Sequence, residues 1–280
     1  MQKITKDRLA GMNMNFNFYP FSYFLDAVTM AGLKNIEIWA GYPHLYSGYD
    51  SLLKVQQMAS DIKSRELNVV NYTPEALIYP FNVASADKIV QAATLDFYKR
   101  NLEYASVLDC HNFLMIGGWG YYNQSIEDAE KRSVDMLSII SEYAGACGVT
   151  LLLEPLQYKE SNIVIDLKSL QRMLHAVNSP YMKPMLDTVQ MVSAGDTIDA
   201  YFDAFGQNLK HIHLTEGCPT GHLAWGDGNL PLKDFLHDIE KNDYQGFITL
   251  EVSSDATDPR PAFDRGLKYV EGTLASMDGH

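Results

Sequence analysis

The sequence has few cysteines and no long hydrophobic run, and each scarcity excludes a class of protein. Cys110, Cys147 and Cys218 are far apart and show no CxxC spacing, so a disulfide framework is excluded and the reduced thiols of a cytoplasmic protein are expected. The first residues, MQKITKDRLAGMNMNF, contain no apolar segment of the kind that a signal peptide requires. No run of about 18 apolar residues occurs, so we expect no membrane-spanning helix.

Positive charge is also scarce. The chain has 22 Lys and Arg residues against 35 Asp and Glu residues, for a net charge of -13. An acidic surface repels nucleic acids and anionic membranes, so neither is expected as a partner. The apolar content of 46% and the aromatic content of 11% are high enough for a folded core and argue against disorder.

Short apolar runs alternate with amphipathic segments along the whole chain. The runs have the length of strands and are bounded by Gly, Asn, Pro and Asp residues. The predicted strands are Leu9–Met14, Asn35–Ala40, Asn68–Thr73, Asn112–Gly118, Val149–Pro155, Met182–Asp187, Leu209–Thr215 and Gly246–Val252. The predicted helices are Phe21–Leu33, Leu52–Leu67, Ala86–Asp109, Ser125–Gly148, Asp166–Asn178, Thr197–Asn208, Pro231–Asn242 and Arg260–Met277.

Strict alternation of strands and helices predicts parallel pairing of the strands. Eight such units in about 250 residues are typical of a (β/α)8 barrel. The alternative is an open doubly wound sheet, which usually carries a GxGxxG motif after its first strand, whereas here that strand leads into NMNFNFYPF. We therefore predict the α/β fold class and a single (β/α)8 TIM barrel domain over residues 1–280.

Side chains that bind metals stand at the ends of four neighbouring strands, where the active sites of such barrels lie. Strands five to eight end in Glu154, Asp187, His213 and Glu251. Three buried carboxylates repel one another and lose their hydration, and a divalent cation offsets both effects. Oxygen ligands with one imidazole suit Mn²⁺, Mg²⁺ or Co²⁺. His211 shares the side-chain parity of His213, so either is a candidate ligand, and His213 lies nearer the strand end.

The other strand ends carry polar and aromatic side chains. They include Trp39 in the last residues of strand two with His44 after it, Tyr72 in the last residues of strand three with Glu75 after it, and Trp119 after strand four. Each aromatic residue is as compatible with barrel packing as with ligand binding, and a single carboxylate at a strand end is more often a helix cap. The metal-site prediction therefore depends on the coincidence of metal-binding residues on four consecutive strands.

The segments LLLEPL, MLD, HIHL and TLEV resemble the xylose-isomerase-like barrels of sugar isomerases and epimerases, as do IEIWAGYPH, YTPE, EPLQYKESN and GHLAWGDGNLPL. The resemblance covers essentially the whole chain. It is strongest to the fructoselysine 3-epimerase branch of the family and weaker to the D-tagatose 3-epimerase branch. It implies a divalent metal, commonly Mn²⁺ with Mg²⁺, Co²⁺ or Zn²⁺ as alternatives, held by Glu154, Asp187, His213 and Glu251. It also implies that Glu154 and Glu251 are the catalytic acid–base pair.

The resemblance extends to substrate contacts. Glu160 matches a glutamate near the sugar, and His222 with Gly226–Gly228 matches a loop that closes on the substrate. Gln190, in DTVQ, stands where tagatose-type epimerases have the histidine of DxxH. Because glutamine forms hydrogen bonds but carries no proton or charge near neutral pH, this contact is altered. Further candidate contacts at the ends of strands two to four are His44, Tyr72, Glu75 and Trp119.

These features predict a metal-dependent epimerase that inverts C3 of a ketose or of a ketosamine resembling fructoselysine. One of Glu154 and Glu251 would remove the C3 proton and the other would return a proton to the opposite face, through an enediolate that the metal stabilises. Aldose–ketose isomerases and dehydratases or lyases of inosose or dehydroshikimate type use the same barrel and metal site, and they remain alternatives.

Two further expectations follow from the family. Its members are often dimers or tetramers, so the resemblance implies a homo-oligomer without fixing its size. DNA-repair endonucleases of the same barrel need several zinc ions, many histidines and a basic surface. The eight histidines and the acidic charge of this chain argue against that function, and a small sugar is the expected partner.

Overall fold

The structure is a computed structural model that describes residues 3–77 and 79–277. Its strands are β1 (Leu9–Met12), β2 (Asn35–Ala40), β3 (Asn68–Pro74), β4 (Asn112–Ile116), β5 (Thr150–Glu154), β6 (Met182–Pro184), β7 (Leu186–Asp187), β8 (His211–Leu214) and β9 (Phe247–Leu250). Its α-helices are α1 (Phe21–Met30), α2 (Leu52–Lys63), α3 (Lys88–Val107), α4 (Ile126–Ala146), α5 (Leu167–Val177), α6 (Thr188–Ala194), α7 (Ile198–Phe205), α8 (Leu232–Lys241) and α9 (Pro259–Met277).

The strands form one parallel barrel in chain order. The order in the sheet is β6-β5-β4-β3-β2-β1-β9-β8-β7, so β6 and β7 are its two ends. These two strands are consecutive in the chain, β6 pairs with β5, and β7 pairs with β8. One bent segment therefore closes the barrel, which confirms the predicted (β/α)8 fold class.

The sequence predicts a single strand over Met182–Asp187, whereas the structure divides this segment into β6 and β7. Pro184 has no N–H to donate to a neighbouring strand, and its carbonyl accepts from the Lys210 N–H at 3.1 Å. The Met185 N–H still donates to the Leu153 carbonyl at 3.2 Å. The chain changes partner at this point, and the strand is thus divided in two.

A short helix, α6, follows β7 directly and is absent from the sequence prediction. The Asp187 side chain caps it by accepting the Gln190 N–H at 2.7 Å. The helix has only seven residues and contains β-branched Thr188, Val189 and Val192, which lower helix propensity. Asp187 therefore has a role at a helix start as well as a position at a strand end.

The barrel wall is apolar and the charged residues inside it are few. Leu151, Leu152 and Leu153 of β5 are fully buried, as are the polar side chains of Glu37 and His211. On the outside, the predicted cap at Ser125 is confirmed, because its hydroxyl accepts the Asp128 N–H at the start of α4. Within the described ranges, no helix has both the length and the apolar character that crossing a bilayer requires.

Candidate active site

Four ligand-type side chains converge at the carboxyl end of the barrel. They are Glu154, at the end of β5, Asp187, at the end of β7, His213, in β8, and Glu251, one residue beyond β9. One ligand atom from each lies within 4.8 Å of the others. The His213 Nδ1 atom is 3.3 Å from Glu154 Oε1 and 3.0 Å from Glu251 Oε2. The parallel strands thus bring together all four residues that the sequence singles out.

The environment of His213 fits a cation. Its Nε2 atom lies 2.9 Å from Glu37 Oε1, while its Nδ1 atom has no hydrogen-bond partner among the described residues. A carboxylate only accepts hydrogen bonds, so Nε2 carries a proton, and whenever the ring is neutral its Nδ1 lone pair is directed at Glu154 and Glu251. Acceptors that face one another in a buried site need a positive charge between them. The residues present therefore fit a divalent metal ion.

The closeness of the buried carboxylates also shifts the pKa values of Glu154 and Asp187. Burial and the negative charges of Glu251 and Asp187 raise the pKa of Glu154. The nearby His213 lowers this pKa in part, and the resulting value is about 7. Burial and the charge of Glu251 raise the pKa of Asp187 to about 6. A cluster without a cation thus takes up protons near neutral pH.

The pKa values of Glu251 and His213 instead shift toward the charged form of each side chain. Burial would raise the pKa of Glu251, but the charges of His222 and His213 outweigh it and lower that pKa to about 2. Burial likewise opposes the charged form of His213, yet the charges of Glu37 and Glu251 raise its pKa well above the usual value. Without a metal ion, a proton on His213 supplies the positive charge of the site.

Asp187 is held more firmly than the two glutamates. Its Oδ1 atom accepts the Gln190 N–H, and its Oδ2 atom accepts the Thr215 hydroxyl. The same hydroxyl lies 3.3 Å from Glu251 Oε2. Thr215 is a site residue that the sequence analysis missed, although its place directly after HIHL, at the end of β8, is the kind of position that identified the others.

A cavity of about 120 Å³, here called the inner cavity, lies beside the four side chains. Its lining includes Glu154, Glu251, Trp39, Glu75, Glu160, Gln190 and His222. A larger cavity of about 350 Å³, here called the outer cavity, adjoins it and includes Phe81, Trp119, Tyr122 and Lys159. Glu160, Tyr98 and Leu77 line both cavities. The space beside the cluster therefore extends into an aromatic cavity at the protein surface.

Glu160 and Gln190 form a polar pair where the two cavities meet. The Gln190 Nε2 atom donates to Glu160 Oε2 at 3.4 Å, so the acceptor-only carboxylate fixes the orientation of the amide. The Gln190 Oε1 atom is buried and no described residue donates to it. Gln190 itself is only 6% exposed. Its carbonyl oxygen is therefore an acceptor available to a molecule in the inner cavity.

His222 contributes to the site from a loop that follows β8. Its Nε2 atom is 3.6 Å from Glu251 Oε1, and its carbonyl accepts the Ser253 N–H at 3.0 Å. The loop is also held by Glu216, which is 2% exposed and whose Oε1 atom accepts the Leu230 N–H. Gly228 lies against the same carboxylate, since a Cβ atom there would be 2.4 Å from Glu216 Oε1. The loop thus positions His222 against Glu251.

Two of the predicted substrate contacts lie elsewhere. The His44 Nδ1 atom pairs with Asn13 Nδ2 and its Nε2 atom with the Tyr19 carbonyl, both at 2.8 Å, and the residue lines a different surface cavity. Tyr72 is fully buried and donates to Asn101 Oδ1 at 2.6 Å. Neither residue lines the inner or the outer cavity. Tyr72 packs in the barrel wall as part of β3, and His44 is held in the loop that follows β2.

The chain is similar to a family of known fold and to several epimerases. A model described as a xylose isomerase-like TIM barrel matches residues 25–272. The fructoselysine 3-epimerase of Escherichia coli O157:H7 is 29% identical over 223 residues, 79% of this chain and 81% of that protein. The D-psicose 3-epimerase of Agrobacterium fabrum (strain C58 / ATCC 33970) is 26% identical over 246 residues, 82% of this chain and 78% of that protein.

Solved structures share the architecture. An L-ribulose 3-epimerase structure has a TM-score of 0.82 at 19% identity and covers 96% of this chain and 95% of its own. The D-psicose 3-epimerase of Clostridium cellulolyticum H10 has a TM-score of 0.78 at 20% identity and covers 95% of this chain and 99% of its own. At these identities the likeness is one of fold.

Proposed function

This chain belongs to the xylose isomerase-like TIM barrel family, and from that premise we propose that it is a sugar epimerase that inverts C3 of a ketose or ketosamine. Relatives that it matches over most of its length are named as 3-epimerases of fructoselysine and D-psicose. Inversion at C3 is the activity that these names have in common. The isomerase class is therefore the class that its relatives support.

The observation that carries the proposal is the placement of two glutamates around one histidine nitrogen. Glu154 and Glu251 both lie within 3.3 Å of His213 Nδ1, although β6, β7 and β8 separate their strands around the barrel. Inversion of a carbon next to a carbonyl needs one group to remove a proton and a second group to deliver one on the opposite face. Two carboxylates that approach the same cavity from different strands suit these roles.

The remaining residues of the cluster suit a supporting role. Asp187 accepts from Gln190 and Thr215, so its carboxylate is fixed in place. Together, Glu154, Asp187, His213 and Glu251 would hold a divalent cation, with Mn²⁺ the first candidate and Mg²⁺, Co²⁺ or Zn²⁺ the alternatives. When bound, such an ion stabilises the negative charge that develops on a carbonyl oxygen as the adjacent carbon loses its proton.

The junction of the two cavities favours a ketosamine over a simple ketose. Gln190 offers an acceptor to which none of the described residues donates, and Glu160 beside it offers a negative charge. A protonated secondary amine is an N–H donor that satisfies both. The outer cavity of about 350 Å³ then accommodates the group attached to that amine, with Trp119 and Phe81 as apolar walls and Lys159 near a carboxylate on that group.

A panel of ketoses tests the proposal. The purified chain is treated with EDTA, reloaded with Mn²⁺ and incubated with fructoselysine, D-psicose and L-ribulose, and the products are separated by chromatography. We expect the C3 epimer of at least one of these sugars, formed only with the metal and fastest with fructoselysine. An aldose, or a product that has lost water, would assign the chain to an isomerase or a dehydratase instead.

A further inference from the structure

A buried glutamate next to the four candidate metal ligands has no part in the chemistry proposed above. Glu37 lies in the middle of β2 and is fully buried. Its two carboxylate oxygens accept from Asn71 Nδ2 at 2.9 Å, from the Thr73 hydroxyl, and from the Nε2 atoms of His211 and His213 at 2.9 Å each. Donors from β3 and β8 thus converge on one carboxylate inside the barrel.

A buried carboxylate at this position is not expected to stabilise the fold more than an apolar side chain would. Desolvation of a carboxylate costs several kcal/mol, and a packed apolar side chain at such a position is often neutral or stabilising in comparison. Glu37 does not face either cavity, so it has no access to substrate. A role that depends on its acceptor atoms, and not on its volume, is therefore needed to account for it.

The hydrogen bond to His213 provides that role. Because Glu37 accepts at Nε2, the proton of the neutral His213 ring is on Nε2, and the Nδ1 lone pair faces Glu154 and Glu251. We propose that Glu37 is a positioning residue that fixes the tautomer and ring orientation of His213 for metal binding. His211, Asn71 and Thr73 hold the Glu37 carboxylate in the position that this task requires.

The same atoms do not suit a second ion. Glu37, His211 and His213 lie close enough to be a candidate metal cluster. Their nitrogen–oxygen distances of 2.9 to 3.1 Å are those of ordinary hydrogen bonds. The four donors around Glu37 use the lone pairs that an ion would need. The group is thus a hydrogen-bond network that supports the cluster above it.

The variant Glu37→Gln tests the proposal with little change of shape. Its amide keeps one acceptor oxygen and replaces the other with an N–H₂ donor; where that donor faces His213 Nε2, it favours a proton on Nδ1 and removes the metal-facing lone pair. We expect Mn²⁺, titrated by the EPR signal of the free ion, to bind about 10- to 100-fold more weakly than to wild type. The ring ¹⁵N spectrum of His213 in the Mg²⁺-loaded chain is expected to change from a pure Nε2–H pattern to a mixed one.

The control is Glu240→Gln, which alters a glutamate of α8 that is 3% exposed and accepts from the Ile4 N–H at 2.8 Å. It should leave Mn²⁺ affinity within twofold of wild type. If Glu37→Gln does not fold, Thr73→Val removes one donor to Glu37 and is expected to weaken Mn²⁺ binding about threefold or more. Wild-type affinity in the folded Glu37→Gln variant, or in Thr73→Val where the first does not fold, would overturn the inference.

This inference rests on the metal site of the proposed function, and the titration separates the two. It uses no sugar, so its result is independent of the substrate. Failure of the wild-type chain to bind Mn²⁺ would reject the metal site itself. Binding by wild type together with equal binding by the variant would reject only the role of Glu37.

Discussion

Replacement of Gln190 by leucine removes a buried acceptor to which no described residue donates, on a side chain that lines the inner cavity. The Gln190 backbone N–H, which caps α6 through Asp187, is unaffected by the change. The side chain also loses its 3.4 Å contact with Glu160, whose Oε2 atom keeps the Gln157 N–H at 3.3 Å. Leucine has a similar volume, so the perturbation is confined to hydrogen bonding.

The size of the effect follows from the charge of the proposed partner. A hydrogen bond to a charged group contributes about 1.5–3 kcal/mol. Because about 1.4 kcal/mol corresponds to a factor of ten in rate, we expect Gln190→Leu to lower kcat/KM for fructoselysine by roughly 10- to 150-fold. A ketose without an amine offers Oε1 only a neutral hydroxyl donor, worth about 0.5–1.5 kcal/mol, so its kcat/KM should fall by a smaller factor, roughly 12-fold at most.

The assay compares kcat/KM for fructoselysine and D-psicose in wild type, Gln190→Leu and the control Gln157→Leu. Gln157 is a buried glutamine nearby that lines neither cavity, so its variant should affect neither sugar. An equal loss for both sugars in Gln190→Leu, or no loss for either, would refute the assignment of Gln190 to an amine.

Three other outcomes are expected. Since the metal-free site holds a proton on His213 and its Glu154 has a pKa of about 7, Mn²⁺ binding at pH 7 should release about one to two protons. Calorimetry in buffers of different ionisation enthalpy measures this release, and the apparent affinity should rise with pH. Mn²⁺ at about 100 times its Kd should raise the free energy of unfolding by about 2.7 kcal/mol, an increase that EDTA abolishes. Tyr72→Phe leaves Asn101 Oδ1 without its donor, so urea unfolding should show a loss of about 1–3 kcal/mol at unchanged kcat/KM.

The arrangement of the four cluster residues was predictable from sequence because it depends on topology. Parallel strands place their carboxyl ends at one edge, so Glu154, Asp187 and Glu251 need only be located near strand ends to be brought together. An error of one or two residues in a strand boundary, as at Glu251, leaves this prediction intact.

Other features depend on side-chain direction, which the spacing of motifs does not supply. Adjacent strand residues face opposite sides, and Thr73 faces Glu37 inside the barrel. Tyr72 therefore faces α3, away from the cavities, although it stands near a strand end. His44 follows β2 in the chain, but the loop directs its ring to Asn13 and the Tyr19 carbonyl.

Glu37 was missed for a further reason. A glutamate in the middle of a strand gives no signal of burial by itself, and its partners Asn71 and His211 are 34 and 174 residues away in the chain. The network appears only when β2, β3 and β8 are in register. In contrast, Thr215 stands at a strand end and could have been included by the rule that selected its neighbours.

The incorporation of solvent deuterium at C3 tests the central claim most directly. The Mn²⁺-loaded chain is incubated with fructoselysine in D₂O, and the isolated epimer is examined by NMR. Proton transfer by Glu154 and Glu251 predicts one deuterium at C3 of the epimer, and its absence when either glutamate is replaced by glutamine in a folded, metal-bound variant. Deuterium at another carbon, or undiminished exchange in both variants, would contradict the account.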